Sequence, residues 1–524
     1  FPTGVMPWRK GVLVTCAPEI FYAEDTDGDG KADKKEVLFS GFVQGNQQHR
    51  VNGLVWGLDG WVYGANGDSG GQITSTKTGT KVAIGGRDFR IRPDTGEIDP
   101  VTGQTQFGRA RDDWGNWFGC NNSNPMYQFV LPDHYIRRNP HVPAPDPRVN
   151  VSVVPGASPV FPISRTLERF NDPNTANRFT SACSAIVYRD DLFGPAFEGN
   201  SFVSEPVHNL IHREVMSSRG VTFTSRRAPD EQAMEFLASS DNWFRPTMIQ
   251  AGPDGALWIA DMYRLVIEHP EWIPKEWQER LDLRAGHDMG RIYRVFPVAP
   301  SPQPLSPAAG ERGRGEGPRP IPRMDKLDTA GLVAAIDSAS GWQRDMAHMM
   351  LLWRGDKSAG PALMRLVETC ERPAARVQAL CALDGLGLLR EPILLRALGD
   401  SHSGVRRHAV RLAESRLAQF PAVAEAVLRM SDDSDAQVRM QVAFSLGEWD
   451  DARAGRALGQ IALRDSGDHF ITAAVASSAT RHAAEILAAV SSSRESTAVS
   501  DSSPPAELIE RLVGQIAAQD DAAG

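Results

Sequence analysis

The sequence predicts an all-β propeller followed by an all-α helical solenoid, and three observations carry that expectation. Short β-rich runs broken by Asp-Gly and Asn-Gly turns fill residues 1–297. Apolar positions spaced 33 residues apart run through the last third of the chain. Between the two lies a stretch whose proline and glycine density rules out regular structure.

The strands come first. Gly11-Val12-Leu13-Val14-Thr15, Leu54-Val55-Trp56-Gly57, Trp61-Val62-Tyr63-Gly64, Phe89-Arg90-Ile91-Arg92, Leu257-Trp258-Ile259-Ala260 and Arg291-Ile292-Tyr293-Arg294-Val295 are each short and rich in β-branched or aromatic residues. Leu58-Asp59-Gly60-Trp61 recurs as Pro253-Asp254-Gly255-Ala256-Leu257-Trp258. Each time an apolar strand enters an Asp-Gly turn and an aromatic strand leaves it. Such a turn supplies the positive φ that a tight hairpin needs. Repeated hairpins of this kind suggest propeller blades, with a β-sandwich as the alternative. Residues 133–180, rich in Pro and Asn, interrupt the pattern and read as a long surface insertion between blades.

Residues 298–323 read as a Pro/Gly-rich linker, and residues 324–490 as helical repeats. Val405, Val438 and Ile471 occupy equivalent positions at a constant spacing of 33. Asp-bearing turns, Asp400-Ser401 and Asp433-Ser434, precede the first two, and an earlier copy starts near Arg376-Val377. A helix pair at this spacing, with Val-Arg opening its second helix, resembles the HEAT repeat. Such pairs stack because one alone cannot bury its apolar face. Residues 491–524 form a Ser-rich tail with a short helix near Leu508–Val513.

Composition narrows the function. Fifty-six basic against 65 acidic residues leave a net charge of -9, which argues against a nucleic-acid partner. No apolar run approaches the roughly 18 residues that span a bilayer, so no transmembrane segment is expected in this chain. Phe1-Pro2-Thr3-Gly4-Val5 reads like the interior of a domain, so the chain is expected to be a fragment without its signal peptide. The five cysteines form no CxxC pair and read as buried thiols, with one disulfide as the alternative. No CxxCH occurs, so no haem site is expected here.

Asp25-Thr26-Asp27-Gly28-Asp29-Gly30-Lys31-Ala32-Asp33-Lys34-Lys35-Glu36 carries the full twelve-residue calcium pattern. Asp25, Asp27, Asp29, Asp33 and Glu36 offer carboxylates, Lys31 its backbone carbonyl, and Gly30 the sharp turn. A sensor would flank the loop with helices. Here Ile20-Phe21-Tyr22 and Val37-Leu38-Phe39 read as strands, so the loop is expected to staple two strands around calcium.

Gln48-His49-Arg50-Val51-Asn52-Gly53-Leu54 and the hairpin after it, ending in Asn66-Gly67-Asp68, form a second candidate. This stretch resembles the soluble quinoprotein glucose/sorbosone dehydrogenases. The resemblance implies that His49 is the base taking a sugar hydroxyl proton, with hydride passing to pyrroloquinoline quinone. It implies that Asn66 and Asp68 lie near cofactor or metal, and that Arg90, Arg92 and Arg109 meet the quinone's carboxylates. His49 also reads as a strand-end histidine with a satisfied hydrogen bond. Asp112-Asp113-Trp114-Gly115-Asn116-Trp117-Phe118 to Pro125 is dense in aromatic and amide groups, which suit sugar binding or the lining of a central channel. In Glu205-Pro206-Val207-His208-Asn209-Leu210-Ile211-His212 the two histidines offer a weaker case for metal.

The blocks DTDGDGKADKKEVLFSGF, LVWGLDGWVYGANGDSGG, DDWGNWFGCNNSNP, DNWFRPTMIQAGPDGALWIADMYR and RAGHDMGRIYRVF together resemble the membrane-bound-dehydrogenase-type propeller proteins of Planctomycetes and Verrucomicrobia. That resemblance implies propeller, HEAT-like repeats and a c-type cytochrome domain. Two departures follow: N-terminal blades are expected to be missing, and the cytochrome domain is absent from this chain. The implied protein is periplasmic or on the cell surface, binds calcium, and oxidises a sugar or alcohol with a quinone, passing electrons to a cytochrome. The alternative is a non-catalytic glycan- or protein-binding propeller whose solenoid docks a partner.

Overall fold

The alternation read in the sequence becomes five antiparallel sheets. In the strand Gly11–Cys16, Leu13 and Thr15 are buried while Val12, Val14 and Cys16 stay partly open. The computed structural model describes residues 1–141, 144–154, 156–166, 176–298, 319–496 and 506–523. Its first sheet runs Gly4–Trp8, Gly11–Cys16, Glu19–Glu24, Lys34–Phe42, and adds Gly71–Ser75 and Lys81–Ala83 at the outer edge. The second holds Asn52–Trp56, Val62–Ala65, Asp88–Arg92 and Glu97–Val101; the third Ala110–Arg111, Trp117–Asn121, Asn124–Phe129 and Arg148–Asn150. The fourth holds Cys183–Val187, Ser201–Glu205, Leu210–Arg219 and Thr222–Arg227, with Leu237–Ala238 beside its third strand; the fifth Pro246–Ala251, Leu257–Asp261 and Arg291–Val295. The first strand of each sheet lines one central channel of about 180 Å³. That arrangement is a five-bladed propeller, not a sandwich.

The two Asp-Gly hairpins share a bonding scheme. Gly60 and Gly255 take φ of 76° and 83°, which a side chain would resist. Asp59 then accepts from the Tyr63 hydroxyl at 2.8 Å and from Arg90 at 3.0 Å. Asp254 accepts from the Trp258 indole at 3.0 Å and from Arg294 at 2.6 Å. In both blades the turn aspartate ties the second strand, four residues on, to an arginine of the third.

Residues 133–180 do more than loop out. Arg148–Asn150 is the outer strand of the third blade. Asp133–Ile136 and the residues after it form a strap that docks on the helices. Tyr135 stacks on Phe444 at 4.6 Å, Arg138 donates to the Phe444 carbonyl at 2.8 Å, and Asn139 donates to the Ala476 carbonyl at 2.7 Å and Gln515 at 3.0 Å. Residues 167–175 and most of the linker expected at 298–323 lie outside the described residues.

The helices form pairs: Thr329–Ala335 with Gly341–Arg354, Gly360–Thr369 with Pro373–Gly385, Glu391–Leu398 with Ser403–Ala413, and Ala452–Arg464 with His469–Ser496, while Pro421–Arg429 packs on Glu391–Leu398 and leads through a short turn into Ala436–Leu446. Ala506–Ala523 packs on the last. Val405, Val438 and Ile471 are fully buried, as the 33-residue spacing requires. The arginines of the repeat make a ladder. Arg376, Arg406 and Arg439 fork onto Asp400, Asp433 and Asp465 respectively, while a third nitrogen of each bonds two carbonyls five and six residues upstream. Each rung welds one repeat to the next with charge-assisted bonds. Arg344 makes the same pair of carbonyl bonds, to Ser338 and Ala339, but its carboxylate is Asp113 of the propeller, at 2.6 Å. The first repeat is thus joined to the propeller by the device that joins later repeats to one another.

The helix Gly341–Arg354 closes one end of the channel, placing Trp342, Asp345, Met346 and Met349 against the inner strands. Here Arg189 bridges Asp113 at 2.6 Å and Asp345 at 2.8 Å, and Arg111 pairs with Asp345. Arg111 and Arg344 are almost wholly buried. Trp114, at the tip of the third blade's first turn, lies flat on His402 at 4.1 Å. One apolar core runs from Leu58, Val130 and Leu131 of the blades into the helices.

Candidate functional site

Chain direction assigns the two faces of the propeller. Trp56, ending the second blade's inner strand, meets His348 of the closing helix, with the Trp56 indole donating to His348 Nδ1 at 3.4 Å. Residues that precede an inner strand therefore lie at the other, open mouth, and His49 is one of them. Asn46 caps the short turn Gln47–His49 by accepting from the Gln48 amide. Gln106, which precedes the third blade's inner strand, lays its amide nitrogen 2.7 Å from His49 Nε2 and 3.2 Å from Nδ1. Asp68 lies 3.9 Å from Nδ1. Burial lowers the His49 pKa, and the Asp68 charge opposes this only in part, so neutral imidazole prevails near pH 7. Burial raises the pKa of Asp68.

Asn66 is beside this pair, yet its groups are engaged. Its side-chain nitrogen donates to the Ile84 and Arg87 carbonyls and its oxygen accepts from the Asp68 amide. Asn66 shapes the turn that holds Asp68 in the left-handed region at φ 64°.

The three arginines expected around a quinone do not meet His49. Arg90 pairs with Asp59 and Asp99, Arg92 with Glu97, and the buried Arg109 with Asp88. The guanidiniums of Arg90 and Arg92 both lie over the Trp61 ring, at 4.6 and 4.5 Å from its centre. All three arginines line a cleft against the helices, and His49 does not. Since each already has a carboxylate, they do not fit the role of anchors for a polycarboxylate cofactor near His49.

The loop expected to bind calcium is split. Asp25, Asp27 and Asp29 bring their oxygens within 4.8 Å of one another, an arrangement that fits a hard cation. Gly28 and Gly30 turn the chain at φ of 83° and 85°, and their amides point at Asp25. Those two amides lower the pKa of Asp25, keeping it ionised. Asp33 instead accepts from Thr26, and Glu36 lies in the strand Lys34–Phe42, 3.8 Å from Lys77. Lys31 donates its amide to Asp29. The loop joins two paired strands on the solenoid side of the first blade.

Of the aromatic stretch after Asp112, Trp114 and Trp117 line neither the channel nor the open mouth, while Asn122 donates its backbone amide to Gln106 beside His49 at 2.8 Å. Trp114 is a wedge into the helices, and Trp117 stacks on Tyr63 at 4.0 Å between blades. The fourth-blade histidines are structural. His208 bonds Glu205 through Nδ1 and accepts the Asn177 amide at Nε2. His212 lies between Glu235 at 2.8 Å and Glu214 at 3.4 Å. Burial alone would lower its pKa, but the two carboxylates raise it above the usual imidazole value, and each ring nitrogen faces a carboxylate. All five cysteines are free thiols.

A feature the sequence did not announce is the cleft of about 400 Å³ between the solenoid-facing turns and the inner helices. Trp61, Tyr63 and Trp117 face it from the blades; Arg407, His408 and Arg411 face it from the helix Ser403–Ala413. Its two walls lie about 300 residues apart in sequence, so no local motif marks it.

Among the described residues no helix is long and apolar enough to cross a membrane. No curated protein matches the chain. Similar solved structures are remote. A crystal structure of an engineered protein is 14% identical and covers 37% of this chain and 97% of its own, at a TM-score of 0.25. A designed armadillo repeat protein in complex with a (KR)4 peptide is 14% identical over 37% of this chain and 99% of its own, at 0.26. A Thermus thermophilus structure described as a glucose dehydrogenase is 14% identical over 50% of this chain and 90% of its own, at 0.24. The model of a domain family of unknown function matches residues 1–299, which is the whole propeller, and the chain accordingly belongs to that family, DUF7133.

Proposed function

We propose that this is an extracytoplasmic calcium-binding propeller whose open mouth takes a hydroxylated small molecule, a sugar or alcohol, and that His49 accepts the hydroxyl proton during its oxidation. The observation that supports this reading is His49 itself. Its imidazole is neutral near pH 7, is oriented by Gln106, and keeps 28% of its side chain accessible. A neutral imidazole within reach of a bound hydroxyl is what a general base requires. Asp68, 3.9 Å away, would steady the imidazolium that forms.

Pyrroloquinoline quinone would supply the hydride acceptor in this reading, and a c-type cytochrome the onward route for electrons. With Arg90, Arg92 and Arg109 engaged by Asp59, Glu97 and Asp88, no residue of this chain is assigned to hold the quinone. That observation favours a second reading, a non-catalytic glycan- or protein-binding propeller using the same mouth. In either case Asp25, Asp27 and Asp29 would hold calcium, joined on ion binding by the Lys31 carbonyl, Asp33 and Glu36. Extracellular calcium modules bind at about 10⁻⁴–10⁻³ M, and that is the affinity this reading expects of the loop in a periplasmic or cell-surface protein.

The test is dye-linked oxidation of a panel of sugars and alcohols by protein supplied with calcium and quinone. Turnover is expected, and His49→Ala is expected to lower it by about 10²–10⁴-fold. Undiminished turnover in His49→Ala would refute the assigned base, and no turnover with any substrate would favour the binding reading.

A further inference from the structure

We propose that the cleft between blades and helices binds a small organic carboxylate, held by Arg411 and His348. This is a different site from the mouth around His49 and stands independently of it. The cleft, at about 400 Å³, is in the size range of small-molecule pockets.

Six arginines and four carboxylates line it. Arg90, Arg92, Arg109 and Arg111 each have a carboxylate partner. Arg407 donates to neutral oxygens of Trp114, Asn116 and Gln437. Arg411 has less. Its Nε donates to His408 Nδ1 at 3.3 Å and one Nη lies 3.5 Å from Cys381 Sγ. Neither neighbour brings negative charge. His408 Nε2 donates to the Trp114 carbonyl at 3.0 Å, which leaves Nδ1 as the acceptor, and burial holds its pKa well below the usual value. Burial pushes the Cys381 thiol up to about 11. Of the acids lining the cleft, Asp59 and Asp384 are tied to Arg90 and Arg416, and Glu414 accepts from Tyr135 and Ser445. Arg411 lines the cleft and is therefore clamped along one edge with no carboxylate bonded to it, although burial is outweighed by the charges around it, Asp59 and Asp384 among them, which hold its pKa above the usual value.

His348 gives the second, independent observation. It is fully buried and lines the same cleft. Its Nδ1 accepts from the Trp56 indole at 3.4 Å and from the Gln378 amide at 3.0 Å. Gln378 also donates to Asp345, which fixes its amide orientation. The ring proton must then be on Nε2, and Nε2 has no partner. Burial lowers the His348 pKa to about 4, so this is a neutral N–H left unsatisfied. A buried orphan donor is costly unless something accepts from it. One cationic edge and one neutral N–H suit a singly charged acid. A dianion would be left uncompensated beside Asp59, Asp384 and Glu414. The Tyr63–Trp117 stack offers an apolar wall for the body of the ligand.

The test is calorimetric titration of the intact chain with sodium benzoate and sodium glucuronate, with inorganic phosphate and glucose as comparators. At least one carboxylate should bind and raise the melting temperature. Arg411→Met should weaken it by about tenfold or more, and Arg411→Lys, which keeps the charge without the fork, by less. Carboxylates that fail to bind at about 10 mM would overturn the proposal. So would phosphate binding with both carboxylates silent, or unchanged affinity in folded Arg411→Met or Arg411→Lys.

Discussion

Asp345→Ala should destabilise the protein by about 3–5 kcal/mol, the range found when one partner of a buried ion pair is removed. Asp345 is the joint between Arg111 and Arg189, and Gln378 also donates to it. Without it, Asp113 alone would face three guanidiniums, those of Arg111, Arg189 and Arg344, two of which are almost wholly buried. Urea unfolding reads the loss as a lower midpoint at unchanged slope. The pH dependence has a definite sign. Burial by itself would raise the Asp345 pKa, but the charges of Arg111 and Arg189 outweigh it and hold the carboxyl below its usual value. A depressed carboxylate stabilises the fold above its unfolded pKa of about 3.9, and that contribution fades as pH falls through the folded value. The gap between native protein and Asp345→Ala should therefore be full near neutrality and shrink below about pH 4.

Gly404→Ala is the second large effect, and here two terms compete. Alanine inside a helix is favoured over glycine by about 1 kcal/mol. Against that, a Cβ on Gly404 would stand 2.2 Å from Cε3 of Trp114. The indole cannot simply withdraw, because it is stacked on His402 and its own carbonyl accepts from Arg407 and His408. Overpacking of this kind costs about 1–3 kcal/mol or more, so a net loss is expected although the substitution favours the helix. In the Trp114→Ala background the clash disappears and the same substitution should become neutral or stabilising. A double-mutant cycle followed by thermal melting measures that coupling. Additive changes would mean that Trp114 does not wedge into the solenoid.

Legibility in the sequence followed the range of the interactions. The Asp-Gly hairpins were readable because Asp59 and Tyr63, or Asp254 and Trp258, are four residues apart and obey local turn chemistry. The helical repeat was readable because Val405, Val438 and Ile471 return at one spacing. The first half of the expected calcium loop was equally local, and Asp25, Asp27 and Asp29 do converge. Asp33 and Glu36 belong to strand-end bonding that a spacing rule does not see. The roles of Arg90, Arg92 and Arg109 were not readable, because Asp99 and Glu97 compete for the first two within their own blade and Asp88 for the third from the neighbouring blade. Least visible was everything that joins the two halves. Trp114 meets a helix 288 residues later, at His402, and Tyr135 meets Glu414 across 279. No periodicity or motif spans such distances. Sequence spacing therefore delivered the parts, and the ladder device at Arg344 shows how they are joined.

The central claim is that propeller and solenoid are a single body joined by an apolar core that crosses between them, not two domains on a tether. Scanning calorimetry of the intact chain tests it most directly. A single transition, with calorimetric and van't Hoff enthalpies in agreement and shifted as a whole by Asp345→Ala, is the result this account predicts. Two separate transitions in the native chain, only one of which moves in Asp345→Ala, would contradict it.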